Sequence, residues 1–212
     1  VARLGDNDGV LVDTEHLYYK STKEVLSEVG VLLSEEVYVE RSLRAGRSLF
    51  DVLCDDGFSD EAVRKLRERR DALYAQYIEN EDVAVSGMER VISKLHGSVK
   101  MGVVTSSKRG HFDAIHKKTG FMGYFDFSVV REDCVESKPS PEPYLKGVAL
   151  SGFSASECLA VEDSERGLRS AVSAGIDCIV TPRNLSLGMD FTDARAICRN
   201  PDELLSFIKP LI

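Results

Sequence analysis

Asp6-Asn7-Asp8-Gly9-Val10-Leu11-Val12-Asp13-Thr14-Glu15 is the stretch on which the reading of this chain turns. The short run Ala2–Leu4 before it reads as a strand, so Asp6 and Asp8 stand two positions apart at a strand end and project to the same side. Gly9 then lets the backbone turn sharply away. From Thr14 to about Asp82 the texture is helical: Leu17, Ser21, Val25 and Val29 recur at helical spacing before Gly30, and Val63, Leu66, Leu73 and Tyr77 mark a second helix. No convincing strand interrupts that stretch.

Beyond Met88 short apolar runs of the buried-strand kind alternate with helical segments. The runs are Lys100–Val104, Phe127–Val130, Cys158–Val161 and Cys178–Thr181, and the helices between and after them are Lys108–Lys118, Glu142–Leu150, Ser164–Ala174 and Asp202–Ile208. Strand followed by helix, repeated, predicts an α/β fold: a Rossmann-like parallel sheet wrapped by helices, with an all-α cap inserted after its first strand. The expected division is a core of residues 1–14 and 83–212 and a cap of residues 15–82.

Ligands of such sheets lie beyond the carboxyl ends of the strands. The polar residues there are Asp6, Asp8 and Asp13; Thr105, Ser106 and Ser107; Lys138; and Glu162 with Asp163. Carboxylates gathered in one crevice repel unless a cation joins them, and an oxygen-only set without His or Cys favours Mg2+. Thr105, Ser106 and Lys138 are complementary to phosphate oxygens. Cation and anion sites side by side point to phosphoryl chemistry, with one aspartate attacking phosphorus and the other near the leaving oxygen.

Four segments in order, Asp6 to Glu15, Val104-Thr105-Ser106-Ser107, Lys138-Pro139-Ser140-Pro141, and Val161-Glu162-Asp163-Ser164 with Gly167, resemble the motifs of the haloacid dehalogenase superfamily. The nearest similarity is to its phosphatase and β-phosphoglucomutase-like branch, and it spans essentially the whole chain. The resemblance implies that Asp6 is the nucleophile and Asp8 the general acid and base. It implies Mg2+ ligands at Asp6, the Asp8 carbonyl and Asp163, with Glu162 ligating directly or through water. Thr105 and Lys138 hold the phosphate and its developing charge, and Ser106 contributes an amide. Asp8 argues against dehalogenation, which has no alkoxide to protonate.

The cap is expected to choose the substrate, through Arg44, Gly46 and Arg47. The mutases carry a basic residue shortly after the Gly-x-Ser of this stretch, whereas Gly46-Arg47-Ser48 is followed here by Leu49, which tilts the expectation toward a phosphatase. A sugar-phosphate mutase and a catalytically silent binder are the alternatives. Two features depart from the family: Arg3 and Gly5 stand where a central strand is normally bulky and apolar, so the strand is expected to be exposed or its geometry altered.

Composition narrows the classes further. The chain has 212 residues, 43% of them hydrophobic, which supplies a real core. A net charge of −8 makes nucleic acid and anionic membrane poor partners. The expected partner is a small phosphorylated metabolite, bound by a monomer or weak homodimer. Five cysteines without a CxxC pair fit reduced, structural thiols in a cytoplasmic protein. The four histidines show no metal spacing; His16 alone lies near the first motif, and the run Arg67-Glu68-Arg69-Arg70 reads as a solvated helix face.

Overall fold

The computed structural model describes residues 1–55 and 57–211. Six parallel strands form one sheet: β1 (Ala2–Gly5), β2 (Lys100–Val104), β3 (Phe127–Val129), β4 (Cys158–Glu162), β5 (Asp177–Val180) and β6 (Ala196–Ile197). Their order is β3-β2-β1-β4-β5-β6. The chain therefore builds outward from β1 to β3, then returns to the other side of β1 with β4. That reversal opens a crevice between the ends of β1 and β4, where sheets of this kind receive their ligands.

Nine α-helices accompany the sheet among the described residues. Four follow β1 directly: α1 (Glu15–Ser27), α2 (Glu35–Tyr38), α3 (Asp51–Asp55) and α4 (Asp60–Asn80), with a π-helical turn at Val39–Arg44. The others are α5 (Met88–Leu95), α6 (Arg109–Thr119), α7 (Glu142–Ser151), α8 (Glu165–Ser173) and α9 (Pro201–Ile208). Local chemistry sets their limits. Ser59 accepts the Ala62 N–H at the start of α4, Ser164 accepts the Gly167 N–H at the start of α8, and Asn200 caps α9 with Pro201 in its first turn. Gly120 and Gly152 end α6 and α7 with φ of 70° and 77°, a backbone region that favours glycine.

Three apolar clusters hold these parts. Val103, Val161 and Ile179 pack one face of the sheet against Val91, Ile92, Phe112, Ile115 and Leu204. Leu4, Val104, Ala160 and Val180 pack the other face against Tyr144, Leu168 and Ala171. A third cluster lies among the first four helices, with Val25, Leu26, Tyr38, Leu43, Phe50, Leu53, Val63 and Leu73, which Met189 joins from the loop after β5, while Leu17 of α1 and Tyr74 and Ile78 of α4 pack with the first cluster.

The expectation that β1 is exposed at Arg3 is overturned. The strand is central, hydrogen-bonded on both sides, and Arg3 is buried. Its guanidinium turns back to donate to the carbonyls of Ala2 (3.0 Å) and Leu211 (2.8 Å), so backbone oxygens take up two of its nitrogens while Nε stays buried without a partner. Gly5 leaves open space on the same face: a Cβ there would meet nothing within 4 Å. The strand β6 and the π-helical turn were not anticipated from the sequence. No described helix is long and apolar enough to cross a membrane.

Candidate active site

Lys138 brings the distant motifs together. Its ammonium is buried and lies 3.0 Å from Asp6 Oδ1 and 2.6 Å from Glu162 Oε1, and it donates to the Val104 carbonyl at 2.8 Å. One cation thus ties the ends of β1, β2 and β4. Burial disfavours its charge, but Asp6 and Glu162 outweigh that and raise its pKa. Tyr144, on α7, donates its hydroxyl to the same Glu162 oxygen at 2.7 Å. The second oxygen, Oε2, is buried without a hydrogen-bond partner.

Asp6, Glu162 and Asp163 each offer an oxygen within 4.8 Å of the others. Burial foremost, then the Glu162 charge, lifts the Asp6 carboxyl to about 7 despite Lys138, and burial with Asp6 and Glu162 lifts Asp163 well above the usual carboxylate range. Such a cluster is short of positive charge, and an orphaned carboxylate oxygen sits within it. The donor set fits a hard divalent cation, which would reverse both shifts. Glycine permits the approach: a Cβ on Gly9 (φ 80°) would lie 2.1 Å from Asp163 Oδ2, and one on Gly167 1.9 Å from Glu162 Oε2. Ser164 takes the capping role on α8, which leaves Asp163 to the crevice.

Asp6 Oδ1 also accepts the Asn7 N–H at 2.8 Å, so one oxygen is occupied and no bond engages Oδ2 among the described residues. Asp8 is gripped by hydroxyls. Thr14 donates to Oδ1, and Ser107 (2.5 Å) and Thr105 (3.5 Å) donate to Oδ2. Thr105 is held by the Ser107 N–H (3.0 Å), and Ser106 presents a buried hydroxyl with no partner. Asp6, Asp8, Thr105, Ser106 and Asp163 line a crevice of about 320 Å³.

The other wall of that crevice comes from the helices between β1 and β2. Gly46 (φ 64°) comes close to the core: a Cβ on it would stand 3.2 Å from the Lys138 carbonyl and 3.3 Å from Arg166 Cδ. Arg47 is exposed at the crevice. Arg44, by contrast, turns to Glu40 (2.7 Å) and Glu165 (3.6 Å). Arg70 corrects the reading of its run as a solvated face. It is buried, lines the crevice, lies 4.2 Å from the Tyr18 ring centroid and pairs with Asp71 at 2.8 Å. Apolar packing on one side and an adjacent carboxylate make that burial tolerable. His16 points to Asp13 (3.5 Å) and is exposed, while His111 lines the crevice in its place.

Residues to which the sequence reading gave no role are Thr14 and Glu15, at the end of the first motif, and Tyr144 and Arg166. Glu15 receives the Tyr38 hydroxyl, and burial lifts its carboxyl to about 6. The position of Thr14 one helical cap after the motif was the available signal; the other contacts are formed only by the tertiary fold.

Residues 4–181 match the family of haloacid dehalogenase-like hydrolases. The chain belongs to that family. YhcW of Bacillus subtilis is 30% identical over 197 residues, covering 91% of this chain and 88% of its own. Fructose-1-phosphate phosphatase YqaB of Escherichia coli is 25% identical over 175 residues, covering 82% and 92%. Among solved structures, CbbY from Rhodobacter sphaeroides in complex with phosphate superposes with a TM-score of 0.83 at 22% identity, covering 96% of this chain and 95% of that one. The two share the parallel sheet wrapped by helices.

Proposed function

We propose that this hydrolase cleaves a small phosphomonoester metabolite, in the first instance a sugar phosphate, with Mg2+ and through an aspartyl phosphate at Asp6. One observation carries the reading: Asp6 has one oxygen pinned by the Asn7 amide and Lys138, and the other unengaged, beside a hydroxyl-gripped Asp8. Asp6 Oδ2 attacks phosphorus and the bond to the leaving oxygen breaks as Asp8 gives that oxygen a proton. Asp8 then takes a proton from water, whose oxygen attacks the aspartyl phosphate, releasing inorganic phosphate and restoring Asp6. Thr105, the Ser106 amide and hydroxyl, and Lys138 hold the phosphoryl oxygens in both steps.

Asp6, Asp163, Glu162 and the Asp8 carbonyl would hold the magnesium ion. When bound, the ion supplies charge neutralisation for the transferring group. Residues 15–82 act as a cap on a core of residues 1–14 and 83–212, a division supported by the cap's own apolar cluster. Gly46 and Arg47 meet the leaving group from the cap side, and closure excludes bulk water. Leu49 packs into the cap cluster where a mutase would offer a cation, which favours hydrolysis over transfer within a sugar. The sugar-phosphate class is supported by two relatives, YqaB and the phosphorylated carbohydrates phosphatase of Thermotoga maritima, the latter 24% identical over the whole chain.

Phosphate release from a panel of phosphorylated metabolites, with Mg2+ and with a chelator, tests this. Release that depends on Mg2+ and disappears in Asp6→Asn is expected. Full turnover by Asp6→Asn would remove the nucleophile assignment.

A further inference from the structure

His116 lies on α6, outside the crevice lining, yet its ring reaches the turn that carries both aspartates. Nε2 is 2.8 Å from Asn7 Oδ1, and Nδ1 is 3.0 Å from Thr119 Oγ1. Asn7 is fully buried and His116 is 5% exposed, with the Phe112 ring edge-on at 4.5 Å. The other end of the Asn7 amide, Nδ2, lies 3.3 Å from Asp8 Oδ2.

These contacts admit one assignment of protons. In the ionised state in which it takes a proton, the Asp8 carboxylate only accepts, so the amide turns its NH2 group to Asp8 and its oxygen to His116. That oxygen requires a proton on Nε2. Burial keeps the ring neutral, so Nδ1 is a lone pair and accepts the Thr119 hydroxyl proton. The result is a directed chain: Thr119 O–H to His116, His116 N–H to Asn7, Asn7 N–H to Asp8.

We propose that His116 is a positioning residue for Asp8, acting through the Asn7 amide. The proposal rests on the reading of Asp8 as general acid and base. The other donors to Asp8, from Thr14, Ser107 and Thr105, are hydroxyls that rotate about one bond. The Asn7 amide is planar, and with its oxygen held by His116 it cannot turn. It therefore sets the direction from which one Asp8 oxygen is approached, which a proton transfer at hydrogen-bond range depends on. Loss of the ring frees the amide and misplaces the carboxylate without touching the groups that hold phosphate.

A double-mutant cycle in kcat tests this, with a phosphomonoester that the wild type hydrolyses. His116→Phe is expected to lower kcat about tenfold, with the change in kcat rather than KM, since acid-base catalysis is only partly lost. Asn7→Leu lowers it similarly, and the double variant is no worse than Asn7→Leu alone, because His116 then has nothing to act through. His116→Gln, which can still point an N–H at Asn7, recovers most of the loss. Nitrogen NMR of the folded wild type should find the His116 proton on Nε2. Losses that multiply in the double variant, a proton on Nδ1 alone, or His116→Gln as slow as His116→Phe at equal melting temperature would each overturn the proposal. With an active wild type those results leave the phosphatase reading standing; a wild type that releases no phosphate from any substrate overturns both.

Discussion

The two walls of the crevice are built on different principles. On the core side, Asp6 at the end of β1 is backed by the buried Glu162 at the end of β4 and by Lys138 from the loop after β3, whose ammonium is bonded to both carboxylates and to the Val104 carbonyl. On the cap side, Gly46 and Arg47 follow a π-helical turn, and Arg47 is exposed. The first wall holds its groups by directional contacts from several strands, the arrangement that preorganised charge stabilisation demands. The second presents one exposed cation, Arg47, on the segment after the π-helical turn. On the proposed function, chemistry and choice of substrate are thereby separated, so that variation on the cap side would change one without disturbing the other.

The sharpest way to break this contrast is at the core wall. Asp6→Asn is expected to cut phosphate release by at least about a thousandfold, because it removes the attacking oxygen rather than a supporting contact. Its melting temperature in metal-free buffer should not fall, since Asp6 is repelled by Glu162 and disfavoured by burial. Retained turnover would show that the pinned carboxylate is not the reacting group.

Lys138→Met should damage both activity and fold. It strands Glu162, fully buried, and Asp6 without their shared cation, and breaking a buried pair from one side costs about 3 kcal/mol. Chemical denaturation measures it. An unchanged midpoint would mean that the tie across β1, β2 and β4 contributes little.

Stability should also fall with acid through His116. Burial holds its pKa down at about 4, against an ordinary value near 6.5, so the unfolded chain takes up the proton first. The contribution is complete well above pH 6.5 and is lost as the pH falls toward 4, a span worth on the order of 3 kcal/mol. Denaturation at pH 7 and pH 4.5, compared between wild type and His116→Gln, isolates it; equal slopes would contradict it.

At the cap wall the effects should be smaller and selective. Arg47→Ala is expected to change the ranking of substrates by kcat/KM, a few-fold for each, in a competition between phosphate esters of different leaving groups. A uniform loss across the panel would place Arg47 with the core chemistry and blur the contrast. Smallest of all, Gly5→Ala should stabilise by about 0.5 kcal/mol, since a methyl there meets open space and glycine weakens a strand. Thermal unfolding reads it.

The same contrast explains what was legible in the sequence. Residues after apolar runs announced themselves: Asp6, Asp8, Thr105, Glu162 and Asp163 all arrive where strand periodicity directs them, because strand ends converge in a parallel sheet, whereas Lys138, in the loop beyond β3, was legible only through its motif. Helix and strand bounds fell within a residue or two for β2, α6 and α7, whose apolar spacing and terminal glycines are strong signals. Arg70 did not read correctly because its charge outweighed its place: the spacing Val63, Leu66, Leu73 and Tyr77 puts position 70 on the inward face and Arg69 off it, and the packing of α4 against α1 sets Tyr18 beneath Arg70. The strand β6 spans two residues and is bracketed by charge, too short for any periodicity to register. His116 meets Asn7 across 109 positions, a contact visible only once α6 has docked on the sheet.

Gly9 and Gly167 carry a consequence for how this protein can change. Each lies where a single methyl group would occupy the space of an Asp163 or Glu162 carboxyl, and Gly9 also holds a backbone angle that suits no other residue. Neither glycine reacts with anything, yet the floor of the crevice tolerates no drift at these two points, whereas the exposed Arg47 side chain is under no such contact. A lineage could acquire a new substrate in a few steps on one side of the molecule while the other side stayed frozen by two absent side chains.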